Sequence, residues 1–249
     1  MYEPFLEFVR KQKKDVDIFC FQEVFKSEKN IFSDSIKTDI FSDIKEILKD
    51  YNAYYAPVVE KTNLVKRVDY KIYWGQAIFV KKPIEVVSEG NIFIWSEYNR
   101  GYTLLDEVEN EKDYIDFPRL LHYVVLKENK KDVLIANLHG YWIPGSKLDT
   151  PERLAQAEKI IKFLDTKKMP QVLCGDFNLN PDTKSMTMLD NNMVNLIKKY
   201  SIKNTRSKLH TRNDKFADYI LITPDINVNK FEVMQDNVSD HLPLYLDFI

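Results

Sequence analysis

The octapeptide Gln171-Val172-Leu173-Cys174-Gly175-Asp176-Phe177-Asn178 decides how the rest of the chain is read. Val172 to Cys174 is a short apolar run with the character of a buried strand. Gly175 ends it and lets the backbone turn sharply. Asp176 and Asn178 follow two residues apart, and on an extended chain both leave on one face. One is an anionic acceptor, the other an amide that donates and accepts. Held together at a strand end, such a pair positions a water and holds a phosphate oxygen. The plainer reading is an Asp/Asn turn that caps the strand. Whether other chemistry-bearing residues also sit at strand ends separates the two.

Four further stretches meet that condition. Phe19-Cys20-Phe21-Gln22-Glu23 ends in a carboxylate, and Ala136-Asn137-Leu138-His139-Gly140 ends in an imidazole. Phe216-Ala217-Asp218-Tyr219 puts an acid at the start of a strand, and Ser239-Asp240-His241-Leu242-Pro243 sets an acid beside an imidazole before the last strand. Taken singly, Glu23 is a solvated loop residue, His139 a hydrogen-bonded structural histidine and Asp218 a turn cap. Taken together, the chemistry fits. Glu23, helped by Asp240 or Asp176, offers hard oxygen to Mg²⁺. Two histidines hold a proton or a phosphoryl oxygen, and Asp218 orients and charges one of them.

The chain has 249 residues, 44% of them apolar, enough for a substantial core in one domain spanning 1–249. Charged residues make up 30% but nearly cancel, to a net charge of −2. That removes any global attraction to nucleic acid or an anionic membrane, so a polyanion has to be met by a local patch. Cys20 and Cys174 each sit in an apolar run and read as small buried hydrophobes. Two cysteines make no disulfide framework, and a reducing compartment follows. No apolar run reaches transmembrane length, and Met1-Tyr2-Glu3-Pro4 does not begin a signal peptide. The expectation is a cytoplasmic monomer without membrane insertion.

Hydropathy periods place the elements. A helix opens the chain with Phe5, Phe8, Val9 and Gln12 on one face, and a strand runs from Val16 to Phe21 into Gln22-Glu23. Ser33-Asp34-Ser35 is the expected cap of a second helix with the stripe Ile36, Ile40, Ile44, Ile47, Leu48 and Tyr51. Strands are expected at Ala53–Val59, Gln76–Val80, Ile84–Ile94, Leu120–Leu126 and Val133–Leu138, with a loop at Glu60–Tyr73 and an acidic surface loop at Asp106–Asp116. Leu120–Leu126 and Val133–Leu138 are joined at Glu128-Asn129-Lys130-Lys131. Thr150-Pro151 starts one helix, Asn180-Pro181-Asp182 another. Late strands follow at Tyr219–Ile222, Lys230–Met234 and Leu244–Phe248. Hairpin-like neighbours outnumber βαβ units, which favours antiparallel or mixed sheets with helices outside.

Phe21-Gln22-Glu23, Asn137-Leu138-His139, Gly175-Asp176-Phe177-Asn178, Ala217-Asp218-Tyr219 and Ser239-Asp240-His241 resemble, in order and spacing, the motifs of the endonuclease/exonuclease/phosphatase superfamily, the DNase I-like fold. The resemblance runs from residue 16 to 249. It implies an α/β four-layer sandwich, two packed sheets with helices on both outer faces, and metal-dependent hydrolysis of a phosphodiester or phosphomonoester. Carried over residue by residue, Glu23 binds Mg²⁺ (or Mn²⁺), and Asp240 lies on the metal side, directly or through water. Asp176 orients or deprotonates the attacking water. Asn178 holds the phosphate and the metal's hydration shell. His241, paired with Asp218, donates to a non-bridging oxygen, and His139 contacts the phosphate or helps the leaving group. Such a site attacks in line at phosphorus while charge is neutralised around it.

The resemblance also implies an opening strand ending in an asparagine, and no residue before Glu23 supplies one. A late gene start, a truncation and a degenerate, weakly active or non-catalytic binding member compete as explanations. A missing N-terminal strand is the favoured expectation, testable by translating upstream in frame. For substrate, Arg119 is a candidate phosphate contact against a structural salt bridge, and Trp142 a stacking platform against core packing. Lys198 to Lys215 carries seven cations against one acid, Asp214, and either tracks a nucleic-acid backbone or is a solvated loop. A nuclease or nucleic-acid phosphodiesterase acting on DNA or RNA is the first expectation. A phosphatase or phosphodiesterase for small-molecule or lipid esters is the second.

Overall fold

The computed structural model describes residues 2–110, 113–128 and 131–249. In chain order the elements are α1 (Tyr2–Gln12), β1 (Ile18–Ser27), β2 (Phe32–Ser33), β3 (Ile36–Lys37), α2 (Ile40–Ile47), β4 (Tyr51–Glu60), β5 (Ile72–Lys81), β6 (Val86–Trp95), a 3-10 turn at Leu105–Glu107, β7 (Arg119–Glu128), β8 (Lys131–His139), α3 (Pro151–Asp165), β9 (Gln171–Asp176), α4 (Lys184–Asp190), β10 (Val194–Asn195), α5 (Leu196–Lys199), β11 (Asp218–Ile222), β12 (Val228–Val233) and β13 (Leu244–Phe248). No helix among the described residues is long and apolar enough to cross a membrane.

Two sheets carry the architecture. One is three-stranded, in the order β1-β5-β4, and antiparallel; the other is six-stranded, in the order β10-β11-β9-β8-β7-β6. The larger is mixed, because β8 and β9 run parallel and the helix α3 makes the crossover between them. Alternation along the strands sorts the faces. In the small sheet Phe19, Phe21, Ala77 and Phe79 pack with Leu6, Val9, Ile44 and Leu48 of the α1–α2 layer. Cys20, Ile78 and Val80 turn the other way and join the core shared with the large sheet. On the far face of that sheet Tyr123 meets Phe163 of α3, ring centroids 5.0 Å apart. The layers are therefore helices, sheet, sheet, helices, a mixed α/β sandwich.

Between the sheets Asn137 ties one layer to the other. It is fully buried. Its Nδ2 donates to the carbonyl of Phe21 at 3.0 Å, and its Oδ1 accepts from Gln22 Nε2 at 2.5 Å. A buried amide without such partners costs about 1–3 kcal/mol. Here it satisfies the backbone where β1 bulges.

Several expectations change. The strand expected to stop at Glu23 continues to Ser27, with a register shift between Phe21 and Val24 that leaves Glu23 in a bulge at φ 57°. Ser33-Asp34-Ser35 caps no helix. Asp34 and Ser35, at φ 51° and 66°, form the tight turn of the β2–β3 hairpin, and Asp39 caps α2 by accepting from the Ser42 amide. The helix expected from Asn180 starts at Lys184, capped by Thr183, because residues 181–183 form a turn. Gly175 does not end its strand; β9 runs through it to Asp176. Asp116, expected on a surface loop, is buried, while residues 111 and 112 of that loop lie outside the described residues. So do Asn129 and Lys130 of the β7–β8 joint. Cys20 and Cys174 are free thiols, partly rather than fully buried.

Candidate active site

Pairing β9 with β11 sets Asp176 directly opposite Asp218, and pairing β8 with β9 sets His139 beside Asp176. Three chemical residues thus arrive at one sheet end by register alone. His241 comes in from the segment before β13, and its Nδ1 lies 2.8 and 2.9 Å from the two Asp218 carboxylate oxygens. Its Nε2 is 3.9 Å from Asp176 Oδ2, which is also 3.9 Å from His139 Nε2. Glu23 reaches the same place from the small sheet, its Oε1 3.8 Å from His139 Nε2. Glu23, His139, Asp176 and His241 line a cleft of about 390 Å³ together with Arg119, Trp142, Asn178 and Asp240, while Asp218 is held against His241.

The turn after β9 is both a cap and a functional constellation. The Asp176 Oδ1 accepts the Asn178 amide at 2.8 Å, and Asn178 takes φ 56°, so the chain turns rather than staying extended. Asn178 is buried; its Nδ2 donates to the Gly140 carbonyl at 3.1 Å, and its Oδ1 accepts from Lys147 Nζ. An ammonium only donates, so Lys147 fixes which end of the amide is oxygen. One N–H of Asn178 is left for a ligand.

The charges are set by these contacts. Burial pushes Asp176 up, but His241, Lys147, His139 and Arg206 outweigh it and hold its carboxyl down to about 2. Burial, then Arg119, drives His139 well below the usual histidine value. It is neutral, and its Nε2 accepts from Arg119 Nη1 at 2.8 Å. Burial opposes a proton on His241, yet Asp218 and then Asp176 lift it to about 9. Burial also raises Asp218, but the shared proton belongs on the more basic imidazole. Arg206 Nη1 meets the same Nε2 of His241. Two donors cannot share that position, so a charged ring and a seated Arg206 exclude each other. In the same arrangement Arg206 also pairs with Asp214 at 3.2 Å and Asp240 at 3.5 Å.

Arg119 is mainly a buried clamp. It forms a forked pair with Asp116 at 2.8 and 2.7 Å, and Asp116 also accepts the Trp142 amide at 2.8 Å. Trp142 stands edge-on to Tyr114, with the Arg212 guanidinium 5.4 Å over its ring. Asp240 faces His210 and Arg206, each at 3.5 Å.

Sequence reasoning did not single out Lys147, Arg206, His210 or Arg153. Lys147 and Arg206 sit in loops with no period to betray burial. Arg153 left a signal, because it lies on the buried stripe of α3 with Gln156, Ala157, Ile160 and Leu164. Its guanidinium donates to the carbonyls of Tyr141 at 3.2 Å and Ser146 at 2.9 Å, and to that of Leu148. It therefore holds the loop that presents Lys147.

Among the described residues no three His, Cys, Asp or Glu side chains form a closed ligand set. An open Mg²⁺ site needs only one or two carboxylates, the rest being water. Glu23 fits that chemistry. Its side chain is 67% exposed and accepts no hydrogen bond among the described residues. Its pKa is raised, by desolvation first and then by Asp176 and Asp240, against the pull of His241 and Arg119. Surplus negative charge at an open carboxylate suits a hard cation.

A family model described as Endonuclease/Exonuclease/phosphatase family matches residues 3–241. No curated protein sequence matches the chain. Among solved structures, it is similar to a mannosyl-6-phosphatase of Bacteroides thetaiotaomicron VPI-5482, at 19% identity and TM-score 0.66, covering 100% of this chain and 90% of that one. It is similar to the human Nocturnin catalytic domain with bound sulfate, at 20% identity and TM-score 0.66, over 99% and 85%. A humanized D. rerio TDP2 aligns at 11% identity and TM-score 0.65, over 100% and 92%. At these identities the likeness carries the fold alone.

Proposed function

The chain belongs to the endonuclease/exonuclease/phosphatase family, and from that premise we propose that it hydrolyses phosphate esters by in-line attack of water at phosphorus. The observation that carries the reading is the convergence of ionised Asp176 with both imidazoles, 3.9 Å from each. Asp176 takes the proton of the attacking water. The remaining N–H of Asn178 and the Nε2–H of charged His241 hold non-bridging oxygens, where charge builds in the transition state. His139, neutral and braced by Arg119, borders the leaving group. Glu23 would hold the divalent metal, with Asp240 on the metal side directly or through water, and a metal there would supply electrostatic stabilisation of the phosphoryl group.

A nucleic-acid phosphodiesterase is the first substrate reading, supported by the basic 198–215 segment beside the cleft. A small phosphomonoester is the second, supported by the bounded volume and by Arg212 reaching across to Trp142. Plasmid nicking with Mg²⁺ and with EDTA, run beside a panel of phosphate esters, separates them. Binding without turnover on every substrate would leave a binding module instead.

Two results are expected from the site's supports. Lys147→Met leaves Asn178 Oδ1 buried without its donor, which is expected to lower stability by about 1–3 kcal/mol and to lower kcat by loosening Asn178. Removing that cation also raises the Asp176 pKa, so the acid limb of the pH profile moves up. An unchanged acid limb would mean that Lys147 only packs. Asp218→Asn removes the main charge holding the proton on His241, so the alkaline limb moves from about 9 down toward the ordinary value of about 6.5. The sign for stability follows the same way. His241 binds its proton more tightly when folded, so its contribution is complete below about pH 6.5 and is lost as pH rises through 9. Melting temperatures across that window, wild type against Asp218→Asn, check it.

A further inference from the structure

We propose that the 203–215 loop forms a second anion subsite, which takes a non-scissile phosphate of the substrate beside the cleft that takes the scissile one. This rests on the phosphoester reading and extends it. A second concavity, of about 430 Å³, is lined by Lys203, Arg206, His210, Arg212 and Lys215, with Asp214 as its one acid. It shares Arg206, His210 and Arg212 with the catalytic cleft, so the two concavities adjoin. Asp214 is engaged by Arg206 at 3.2 Å and His210 at 3.1 Å. Lys203, Arg212 and Lys215 are exposed and form no ion pair among the described residues. The cations facing this space therefore outnumber the charge that neutralises them.

The loop is also held in shape. Thr205 N donates to the Lys215 carbonyl at 2.8 Å and closes its neck. Ser207 N donates to the Asp240 carbonyl at 3.0 Å, and Leu242 N to the Thr205 carbonyl at 2.9 Å. A ligand bound there meets a backbone frame already in place, and the ordering cost that remains is that of the exposed Lys203, Arg212 and Lys215 side chains. The segment before Tyr114 carries exposed Asp106, Glu109 and Asp113, none of which lines this concavity. A nucleic-acid strand and a small bisphosphate share this chemistry.

The test is calorimetric binding of adenosine 3′,5′-bisphosphate, adenosine 5′-monophosphate and a short thymidylate oligonucleotide. It uses wild type and a Lys203→Glu/Lys215→Glu variant, both positions being exposed and outside the catalytic machinery. The bisphosphate is expected to bind roughly tenfold tighter than the monophosphate in wild type and to lose that advantage in the variant. Oligonucleotide binding that weakens in the variant with a shallower salt dependence identifies a strand as the source. Oligonucleotide binding that is unaffected, beside a lost bisphosphate advantage, identifies a small bisphosphate. A bisphosphate that binds no tighter than the monophosphate, or a variant that weakens all three ligands alike, overturns the subsite. Because binding is read without turnover, a chain that hydrolyses no ester refutes the catalytic reading separately.

Discussion

Asp176→Asn is expected to lower kcat about a thousandfold while the chain remains folded. The side chain is buried, and asparagine keeps its shape. An amide oxygen still accepts the Asn178 amide that Asp176 holds at 2.8 Å. What disappears is the charge, and with it the base. The change also has a stability component. A carboxyl held at about 2 against an ordinary 3.8 stabilises the fold above pH 3.8 and loses that contribution as pH falls through 2. At neutral pH this is on the order of 2 kcal/mol, or a melting shift of roughly 4–8 °C for a domain of this size. Turnover with the best substrate, measured beside circular dichroism and thermal melting, checks both parts. Activity within tenfold of wild type would remove Asp176 from the proton transfer.

Gly175→Ala is expected to cost about 4 kcal/mol or more, the largest stability loss anticipated for a single methyl group. Gly175 sits at φ +133°, where side chains are strained, and a Cβ there would stand 2.0 Å from the Leu138 carbonyl oxygen. That oxygen belongs to the backbone of the parallel neighbour β8, so relief requires the two strands to part. They are the strands that bring His139 level with Asp176. Activity should therefore fall with the melting temperature, which is expected to drop by roughly 10 °C or more. A variant that melts within a few degrees of wild type would show that the β8–β9 pair has slack.

The same glycine shows where sequence reading reaches and where it stops. The strand, the glycine and the polar pair after it were all legible in residues 171–178, as were the motifs that place the chain in its family and fold. The reason for the glycine was not. A sharp turn was expected, whereas the structure has a close approach between strands far apart in sequence. Asp218 facing Asp176 was equally hidden, since cross-strand register is a tertiary fact. The bulge at Glu23 has no local signature, because the Phe21 carbonyl at its start is satisfied by Asn137 from the other sheet. Local propensity misled at Ser33-Asp34-Ser35, where residues that favour caps also favour hairpin turns. Lys147 and Arg206 escaped because a loop cation looks alike whether solvated or buried, and only neighbours decide. Arg153 alone, in phase with an apolar helix face, advertised its burial.

Glu23 is carried by the small sheet, whereas His139, Asp176 and Asp218 stand on the large one, and Asn137 with Gln22 bridges the gap. Catalytic alignment is therefore a property of how two slabs are docked, not of either slab's own integrity. Lesions deep in the seam, remote from any substrate, would silence the enzyme while each half kept its secondary structure. An additive that glues the slabs together would revive such variants without touching the reacting atoms.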